Sequence, residues 1–458
     1  MDLLLKNANI VTDTENYISD VYIAEGIIKK IEKNLHISNA ETVDLQGKYL
    51  VPGGIDVHTH FNIDVGIAKS VDDFYTGTVA AACGGTTTII DHMGFGPKGC
   101  TLHHQFEVYK KFAEGNAVID YGFHGVVQHI NEDILSEIES MAEEGITSFK
   151  GYMTYDYKLS DIDMLKFSDK LSLSGGLLTV HPENNDMIAY LKNKFADEGK
   201  LSSEYHGKSR PSRCEGEAVN RMADLMSATD CPLYIVHLSC EEGLEHIKNA
   251  VKKGQKIFAE TCPQYLVLDE SRYVLSENEG LKYICSPPLR EKYHQEKLWA
   301  GIREGYIQTV ATDHCSFSFK EQKMAGKDDF RKCPNGLPGA ETRMALMFSE
   351  GVSKGKISIN KFVEVTSTNP AKLFGLYPEK GCIREGADAD LVVIDPNIKK
   401  KITKGELHEN TDYTPFEGIE ITGCPVMTIA RGEIIVEDNR FIGKKGRGKF
   451  LKRKRFSF

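Results

Sequence analysis

Six side chains that can bind a metal ion each come directly after a short apolar run. They are His58 and His60 in YLVPGGIDVHTH, Lys150 in ITSFK, His181 in LLTVH, His237 in LYIVH and Asp313 in TVATD. A β-strand that ends in such a side chain, repeated along a chain, places these side chains on one rim of a barrel. A single HTH tripeptide is weak evidence, but five strand ends that supply one ligand set predict a metal-dependent hydrolase of the barrel type.

The donor types indicate which metal and how many ions. Neutral imidazoles and a carboxylate suit zinc or a similar divalent ion. Four histidines and one aspartate are more than one tetrahedral zinc needs, so the count favours two ions that share a bridging ligand. Lys150 could not lie between two dications as a charged ammonium. It is either away from the site, or neutral, or converted by CO₂ to a carbamate that bridges both ions.

Asp313 has two possible roles. As a catalytic residue it would bind one ion, take the proton of a bridging water and return it to the leaving nitrogen. The hydroxide formed in this way attacks an amide carbonyl well. The alternative is a buried aspartate bonded to backbone amides, but ATDHC after an apolar run favours the catalytic role.

The elements between these residues alternate regularly. Eight strand candidates end near His58, Asp91, His124, Lys150, His181, His237, Thr261 and Asp313. Glycines able to adopt positive φ close the intervening helices, at Gly84, Gly145, Gly175, Gly254 and Gly305. The pattern predicts an α/β fold, a (β/α)₈ TIM-type barrel over residues 53–380. The β-rich ends, 1–52 and 381–440, predict one small β-sandwich domain, and 441–458 is a basic tail that we expect to be a solvated arm rather than a subunit contact.

Composition excludes several classes of protein. The 458-residue chain is 41% hydrophobic and 27% charged, with a net charge of -10, which argues against nucleic-acid binding. No apolar run approaches the roughly 20 residues of a membrane span, and MDLLLKNANIV does not read as a signal peptide. The 11 cysteines include no CxxC pair, which favours reduced thiols and a cytoplasmic location.

The remaining histidines are interpreted more cautiously. We expect His92 and His124 to be core or supporting groups, and His314 to point away from Asp313 on an extended chain. Six others stand in polar contexts that predict exposure: His103, His104, His206, His246, His294 and His408.

With these residues in place, the chain resembles the cyclic amidohydrolases, most closely the D-hydantoinase/dihydropyrimidinase branch and within it the bacterial phenylhydantoinase type. The resemblance covers nearly the whole sequence. It is carried by long ordered blocks, among them DVHTHFNIDVG, CGGTTTIIDHMGFGP, SFKGYMTYDYKL, TVHPEN, YIVHLS, ETCPQYL, SPPLR, ATDHC and CPNGLPGAETR. Asn62 stands where dihydroorotases carry a substrate-binding arginine, which disfavours that activity.

The resemblance implies a binuclear zinc site and usually a homotetramer. His58, His60 and Asp313 would bind one ion, His181 and His237 the other, and Lys150, as N6-carboxylysine, would bridge them. Tyr155 would donate a hydrogen bond to the oxyanion, and Ser286 and Asn335 would hold the amide edge of the ring.

The favoured function is hydrolysis of 5-substituted hydantoins to N-carbamoyl amino acids of D configuration, by a metal-bridging hydroxide. Tyr152, Tyr155, Tyr157 and Phe61 could line a pocket for an aryl substituent. The alternatives are opening of 5,6-dihydrouracil-type rings, a non-catalytic scaffold relative, and a one-metal deaminase that would leave Lys150 without a role. Gly151, next to Lys150, is smaller than expected and could loosen the loop to Tyr155.

Overall fold

The computed structural model describes residues 2–457, which form two β-sheets and the helices around them. The strands are β1 (Leu3–Val11), β2 (Asn16–Ala24), β3 (Ile27–Glu32), β4 (Glu41–Asp44), β5 (Tyr49–Pro52), β6 (Gly54–Thr59), β7 (Thr86–His92), β8 (Asp120–Val126), β9 (Ser148–Tyr152), β10 (Leu177–His181), β11 (Leu233–Ile235), β12 (Ile257–Thr261), β13 (Thr309–Val310), β14 (Leu391–Lys401), β15 (Glu420–Ala430), β16 (Glu433–Glu437) and β17 (Arg440–Phe441).

The α-helices follow the barrel strands and cover them. They are α1 (Phe74–Cys83), α2 (Leu102–Ala113), α3 (Glu132–Glu143), α4 (Asp161–Leu173), α5 (Asn185–Asp197), α6 (Glu204–Lys208), α7 (Ser212–Met226), α8 (Glu241–Lys252), α9 (Pro263–Val267), α10 (Tyr293–Glu304), α11 (Arg343–Leu346), α12 (Ile359–Val363) and α13 (Asn369–Leu373). Within residues 2–457, none of these helices has the length and apolar character needed to cross a membrane.

The eight strands from β6 to β13 form one sheet in chain order, and every pair in it is parallel. A parallel sheet needs both faces covered, and these strands are buried almost throughout. The predicted barrel is therefore confirmed.

The seam between β6 and β13 is closed mainly by side chains. One parallel bridge joins Thr59 to His314. Asp56 accepts hydrogen bonds from the Thr312 amide and hydroxyl at 3.1 and 2.7 Å. Nη1 of the fully buried Arg343 donates to the carbonyls of Ile55 and Val310 at 3.2 and 3.0 Å, one on each side of the seam. The first and last strands are thus held together although β13 has only two residues.

The second sheet combines both ends of the chain, as expected. Its nine strands run in the order β17-β16-β15-β14-β5-β1-β2-β3, with β4 beside β1. β5 lies between β1 and β14, so the N-terminal and C-terminal strands form one continuous mixed sheet. Its apolar side chains, such as Leu5, Val21, Leu50, Leu391 and Ile429, pack into a core of their own.

Two glycine predictions need correction. Gly84 ends α1 with φ -79°, and the positive φ falls on Gly85 at 88°. Gly84 is needed for space, because a Cβ there would lie 2.3 Å from the Glu341 carbonyl oxygen. Gly151 lies inside β9, where a Cβ would meet the Met164 side chain at 2.9 Å, so it allows α4 to pack closely and is not a loosened loop residue.

The basic tail is not a solvated arm, contrary to the prediction. Its backbone bonds to Tyr121 at the start of β8 through Lys449 and Leu451, and Phe456 bonds to Gly175, just before β10. Arg453 is 4% exposed and donates to the Phe123 carbonyl. The many lysines and arginines of the tail favoured the prediction of a solvated arm. The apolar residues between them pack against the N-terminal end of the barrel, opposite the rim where the strands end.

Phe450 tests how much this packing stabilises the fold. Its ring lies 5.5–6.0 Å from the rings of Phe106, Tyr121 and Phe123. We expect Phe450→Ala to lower the free energy of unfolding by about 2 kcal/mol, less than the ~3–5 kcal/mol of a fully buried phenylalanine. Lys452→Ala, at an exposed tail position, should change it by less than about 0.5 kcal/mol. Equal urea midpoints for both variants and the parent would show that the tail contributes nothing.

Candidate metal centre

Three of the predicted ligands meet at the seam of the barrel. His58 lies in β6, His60 follows it, and Asp313 comes three residues after β13. Asp313 Oδ1 is 3.1 Å from His58 Nε2 and 3.3 Å from His60 Nε2, and the two Nε2 atoms are 3.3 Å apart. All three can contribute an atom to one ion. β6 ends at Thr59, which lets both histidines turn to the same side.

The other three residues lie beside this group. His181 ends β10 and His237 follows β11, with His237 Nε2 2.9 Å from His181 Nδ1. The His237 ring is stacked 5.4 Å from the His58 ring. Lys150, in β9, places Nζ 2.9 Å from His58 Nε2. The structure therefore brings all six side chains together on one rim.

The backbone at the rim adopts uncommon conformations. His237, Asp313 and Tyr155 have φ values of 41°, 52° and 69°, in the left-handed region that side chains other than glycine rarely occupy. Such conformations cost of the order of 1–3 kcal/mol each and cluster at functional sites. Here they turn each side chain off the direction of its strand.

Burial keeps the four histidines of the candidate centre neutral. It lowers the pKa of His58 and His237 well below the ordinary value, and that of His60 and His181 less strongly because Asp313 and Glu183 oppose it. Neutral imidazole is the form that binds a metal.

Burial also favours the neutral form of the Lys150 side chain. Burial lowers its pKa to about 8, against the opposing effect of Asp313 and Glu260. A neutral amine is therefore accessible near neutral pH, and the neutral amine is the form that reacts with CO₂.

Two buried carboxylates hold the histidines from outside. Glu260 bonds to His58 Nδ1 and accepts from the His237 amide at 3.0 Å and from the Tyr234 hydroxyl at 2.9 Å. Glu183 accepts from His181 Nε2 at 2.8 Å and from Arg210 Nη1 at 2.6 Å. Carboxylates in this position orient histidine ligands of metals.

Tyr155 stands over the second group of ligands. Its ring lies 5.4 Å from the His181 ring and 5.8 Å from the Arg210 guanidinium. Burial raises the pKa of its hydroxyl while Arg210 opposes the rise, so Tyr155 stays a hydrogen-bond donor at neutral pH. The buried Ser286 hydroxyl lies close enough to the Tyr155 hydroxyl to oppose this rise in pKa.

The loops of Ser286 and Asn335 are held side by side. The Gly336 amide donates to the Ile284 carbonyl at 3.0 Å. The fully buried ammonium of Lys323 donates to the carbonyls of Ile284 and Pro334, at 2.8 and 3.2 Å. These contacts fix the backbone directly before the two predicted substrate-binding residues.

The aromatic residues divide into two groups. Tyr152 and Tyr155 lie 6.3 Å apart at the rim. Tyr157 stacks at 3.9 Å on Phe95, a residue that was not among the predicted pocket residues. Phe61 was wrongly included, since it is fully buried against Phe74, 5.8 Å away, beneath α1.

Two of the histidines expected to be exposed are buried. His206 Nε2 donates to the Cys285 carbonyl at 2.7 Å, and His294 Nδ1 accepts from the Glu241 amide at 3.0 Å. Both are 1% exposed, because long-range packing covers segments of polar composition. His314 bonds to Asp72 at 3.1 Å and turns away from the ligands, and His92 and His124 stack 4.2 Å apart below them.

A cavity of about 520 Å³ also lies on this rim, beside the loops after β9 and β10. Its lining includes Met153, Lys158, Asn184 and Arg221 but none of the six ligand residues. The convergence of ionisable groups, rather than this open groove, identifies the candidate centre.

Three supporting residues were missed from the sequence. Glu183 stands two residues after His181, and Glu260 lies at the end of β12, so both were visible as carboxylates at strand ends. Arg210 gave no local signal, because it reaches Glu183 from a segment 27 residues further along the chain.

Comparison with known proteins agrees with this geometry. The model of the amidohydrolase family matches residues 49–435. Over 458 residues the chain is 52% identical to D-phenylhydantoinase of Escherichia coli O9:H4 (strain HS), covering 100% of this chain and 99% of that one.

Solved structures match over the full length. A dihydropyrimidinase from Brevibacillus agri superposes with a TM-score of 0.99 at 43% identity, covering 100% of both chains. An L-hydantoinase (dihydropyrimidinase) from Arthrobacter aurescens gives 0.91 at 31% identity, covering 99% of this chain and 100% of that one.

Glu260 provides a test of the outer carboxylates. Glu260→Gln keeps the size of the side chain but puts an amide in place of the carboxyl group that contacts His58 Nδ1. We expect metal affinity to fall about 10–100-fold, measured by metal retained during dialysis against a chelator. Glu107→Gln, at an exposed position of α2, is the matched control. Unchanged retention in Glu260→Gln would exclude this role.

Proposed function

The chain belongs to the amidohydrolase family, and we propose that it opens 5-substituted hydantoins to N-carbamoyl amino acids. The observation that carries the proposal is the convergence of four histidines, Lys150 and Asp313 on one barrel rim, in a chain 52% identical to D-phenylhydantoinase along its whole length. The chain is a hydrolase that acts on a small cyclic amide.

We propose two zinc ions, one held by His58, His60 and Asp313 and the other by His181 and His237. The donor set fits, since imidazole nitrogens and a carboxylate oxygen face one another at 2.9–3.3 Å in a buried site. Bound ions of this kind lower the pKa of water and polarise a carbonyl.

We further propose that Lys150 is carbamylated and bridges the two groups. Its position against His58 and its lowered pKa of about 8 support this. The ammonium first loses one proton, and the neutral amine then adds CO₂ and releases a second proton. The cation is thereby converted into an anionic carbamate, which removes the charge conflict of an unmodified lysine.

The side chains of the protein then have distinct tasks. Asp313 accepts a proton from the attacking water and delivers it to the leaving ring nitrogen. The Tyr155 hydroxyl donates to the oxygen of the carbonyl under attack, where negative charge develops. Ser286 and Asn335, fixed through the carbonyls held by Lys323, hold the amide edge of the ring.

The aromatic residues support an aryl substituent on the hydantoin ring, and the 52% identity to D-phenylhydantoinase supports D configuration at the carbon that carries it. Tyr152, Tyr155, Tyr157 and Phe95 present ring faces at the same rim, with ring centroids 3.9–6.3 Å apart. An aryl group packs against such faces at modest entropic cost.

Opening of dihydropyrimidine rings is the second candidate activity. It is favoured by the TM-score of 0.99 to the dihydropyrimidinase from Brevibacillus agri. A scaffold function is disfavoured because every ligand side chain is present and convergent, and a one-metal deaminase would leave Lys150 unused.

The remaining features of the proposal concern organisation and location. We propose residues 53–380 as the catalytic barrel, 1–52 and 381–440 as the small β domain, and a homotetramer as the assembled form. All 11 cysteines are free thiols, which supports a cytoplasmic location.

The first test measures metal per chain together with hydrolysis of phenylhydantoin and dihydrouracil. We expect about two divalent ions and ring opening, with the faster substrate deciding between the two activities. Metal without turnover on either ring would exclude both substrates. Neither metal nor turnover, after zinc and bicarbonate are supplied, would support the scaffold function.

Lys150→Ala tests the bridge. We expect loss of one bound ion and a fall in turnover of about 10³-fold, corresponding to several kcal/mol of charge stabilisation. Lys166→Ala, at an exposed position of α4, is the control and should match the parent. Full metal content and full rate in Lys150→Ala would contradict the bridging role.

A further inference from the structure

Three ligand-type side chains meet at a second place, away from the barrel rim. Cys83, Glu341 and His408 each offer an atom within 4.8 Å of the others. Cys83 is the last residue of α1, Glu341 lies just before α11, and His408 precedes β15. The cluster thus joins the barrel to the segment that leads into the small sheet.

The Cys83 thiol is buried and free to bind a metal ion. It is 6% exposed and takes part in no hydrogen bond within residues 2–457. Burial, reinforced by the negative charge of Glu341, raises the pKa of the thiol. A bound cation would stabilise the thiolate anion.

Glu341 and His408 are already oriented toward each other. The Glu341 carboxylate accepts from the His408 amide at 2.6 Å and lies 2.8 Å from His408 Nδ1. The His408 side chain is 28% exposed, which leaves a route from solvent.

Space for an ion is present. A cavity of about 40 Å³ lies beside Cys83 and Glu341, and its lining also includes Lys400, Glu406 and Cys424. His408 does not line this cavity and reaches the cluster through its contact with Glu341. A cavity needs only about 10–15 Å³ of this kind of volume to hold a water molecule. An ion and one water can therefore fit.

A third cluster of possible ligands differs from the Cys83 cluster because a lysine already neutralises it. Asp120, Asp388 and Asp390 also converge, but Lys380 Nζ lies 2.9, 3.0 and 2.6 Å from them and already supplies the cation. Within residues 2–457, no lysine or arginine forms an ion pair with Glu341, and Lys400, which lines the neighbouring cavity, is paired with Glu406 at 3.4 Å.

We propose that Cys83, Glu341 and His408 bind a thiophilic divalent cation such as Zn²⁺ or Co²⁺. Thiolate, imidazole and carboxylate with one water complete a four-coordinate site. On binding, the thiol proton leaves to solvent and the sulfur lone pair forms the bond to the metal. The ion would cross-link α1 to the segments before α11 and β15, and it takes no part in the ring-opening chemistry.

The test uses the full-length protein reconstituted with Co²⁺. The proposed ligands at the barrel rim include no cysteine, so a thiolate-to-cobalt charge-transfer band in the near ultraviolet would report Cys83 ligation. We expect this band in the parent, its loss in Cys83→Ala, and one cobalt equivalent less per chain in that variant. Hydantoin hydrolysis should be unchanged in Cys83→Ala, which separates this site from the proposed activity.

Cys424→Ala is the matched control, because Cys424 is also buried and lines the same cavity but lies outside the cluster. It should keep the band and the metal content. His408→Ala, at a partly exposed position, tests the site if Cys83→Ala folds poorly, and it should also lose the cobalt equivalent. No band in the parent, or a band that persists in both Cys83→Ala and His408→Ala, would overturn the proposal.

Discussion

The seam between β6 and β13 is the contact on which the candidate site depends. His58 and His60 come from the first barrel strand and Asp313 follows the last, so these ligands meet only if the barrel closes. The two residues of β13 offer little backbone pairing, and closure depends instead on the buried Asp56 and Arg343. A charged guanidinium without water is costly, and its hydrogen bonds to both sides of the seam offset that cost.

Burial at the rim has two opposing effects. It strips water from the imidazoles and keeps them neutral, which a metal requires, but it also makes an unmodified Lys150 unfavourable as a cation. Glu260 and Glu183 bind the outer nitrogens of His58 and His181 and so set which nitrogen faces inward. The same desolvation thus prepares the ligands and favours conversion of the lysine to an anion.

The two ends of the barrel differ in backbone strain and in packing. The rim holds backbone in strained conformations, such as φ 52° at Asp313, and buried atoms without a hydrogen-bond partner among the described residues, such as His60 Nδ1. The opposite end is packed by the C-terminal tail, where Phe450 and Arg453 lie against β8. Stability gained at the packed end can offset strain at the rim, a division common in barrels of this kind.

The sequence by itself determined the alternation of strands and helices, the β-rich character of both chain ends, and the six side chains at strand ends. These features are local, because hydrophobic period and chain order are written in adjacent residues. Tertiary structure decided what covers a polar segment: His206, His294 and the basic tail are buried by residues far away in the chain, and Phe61 faces α1. It also decided the contact of Arg210 with Glu183, since a long-range ion pair leaves no periodic signal in either partner.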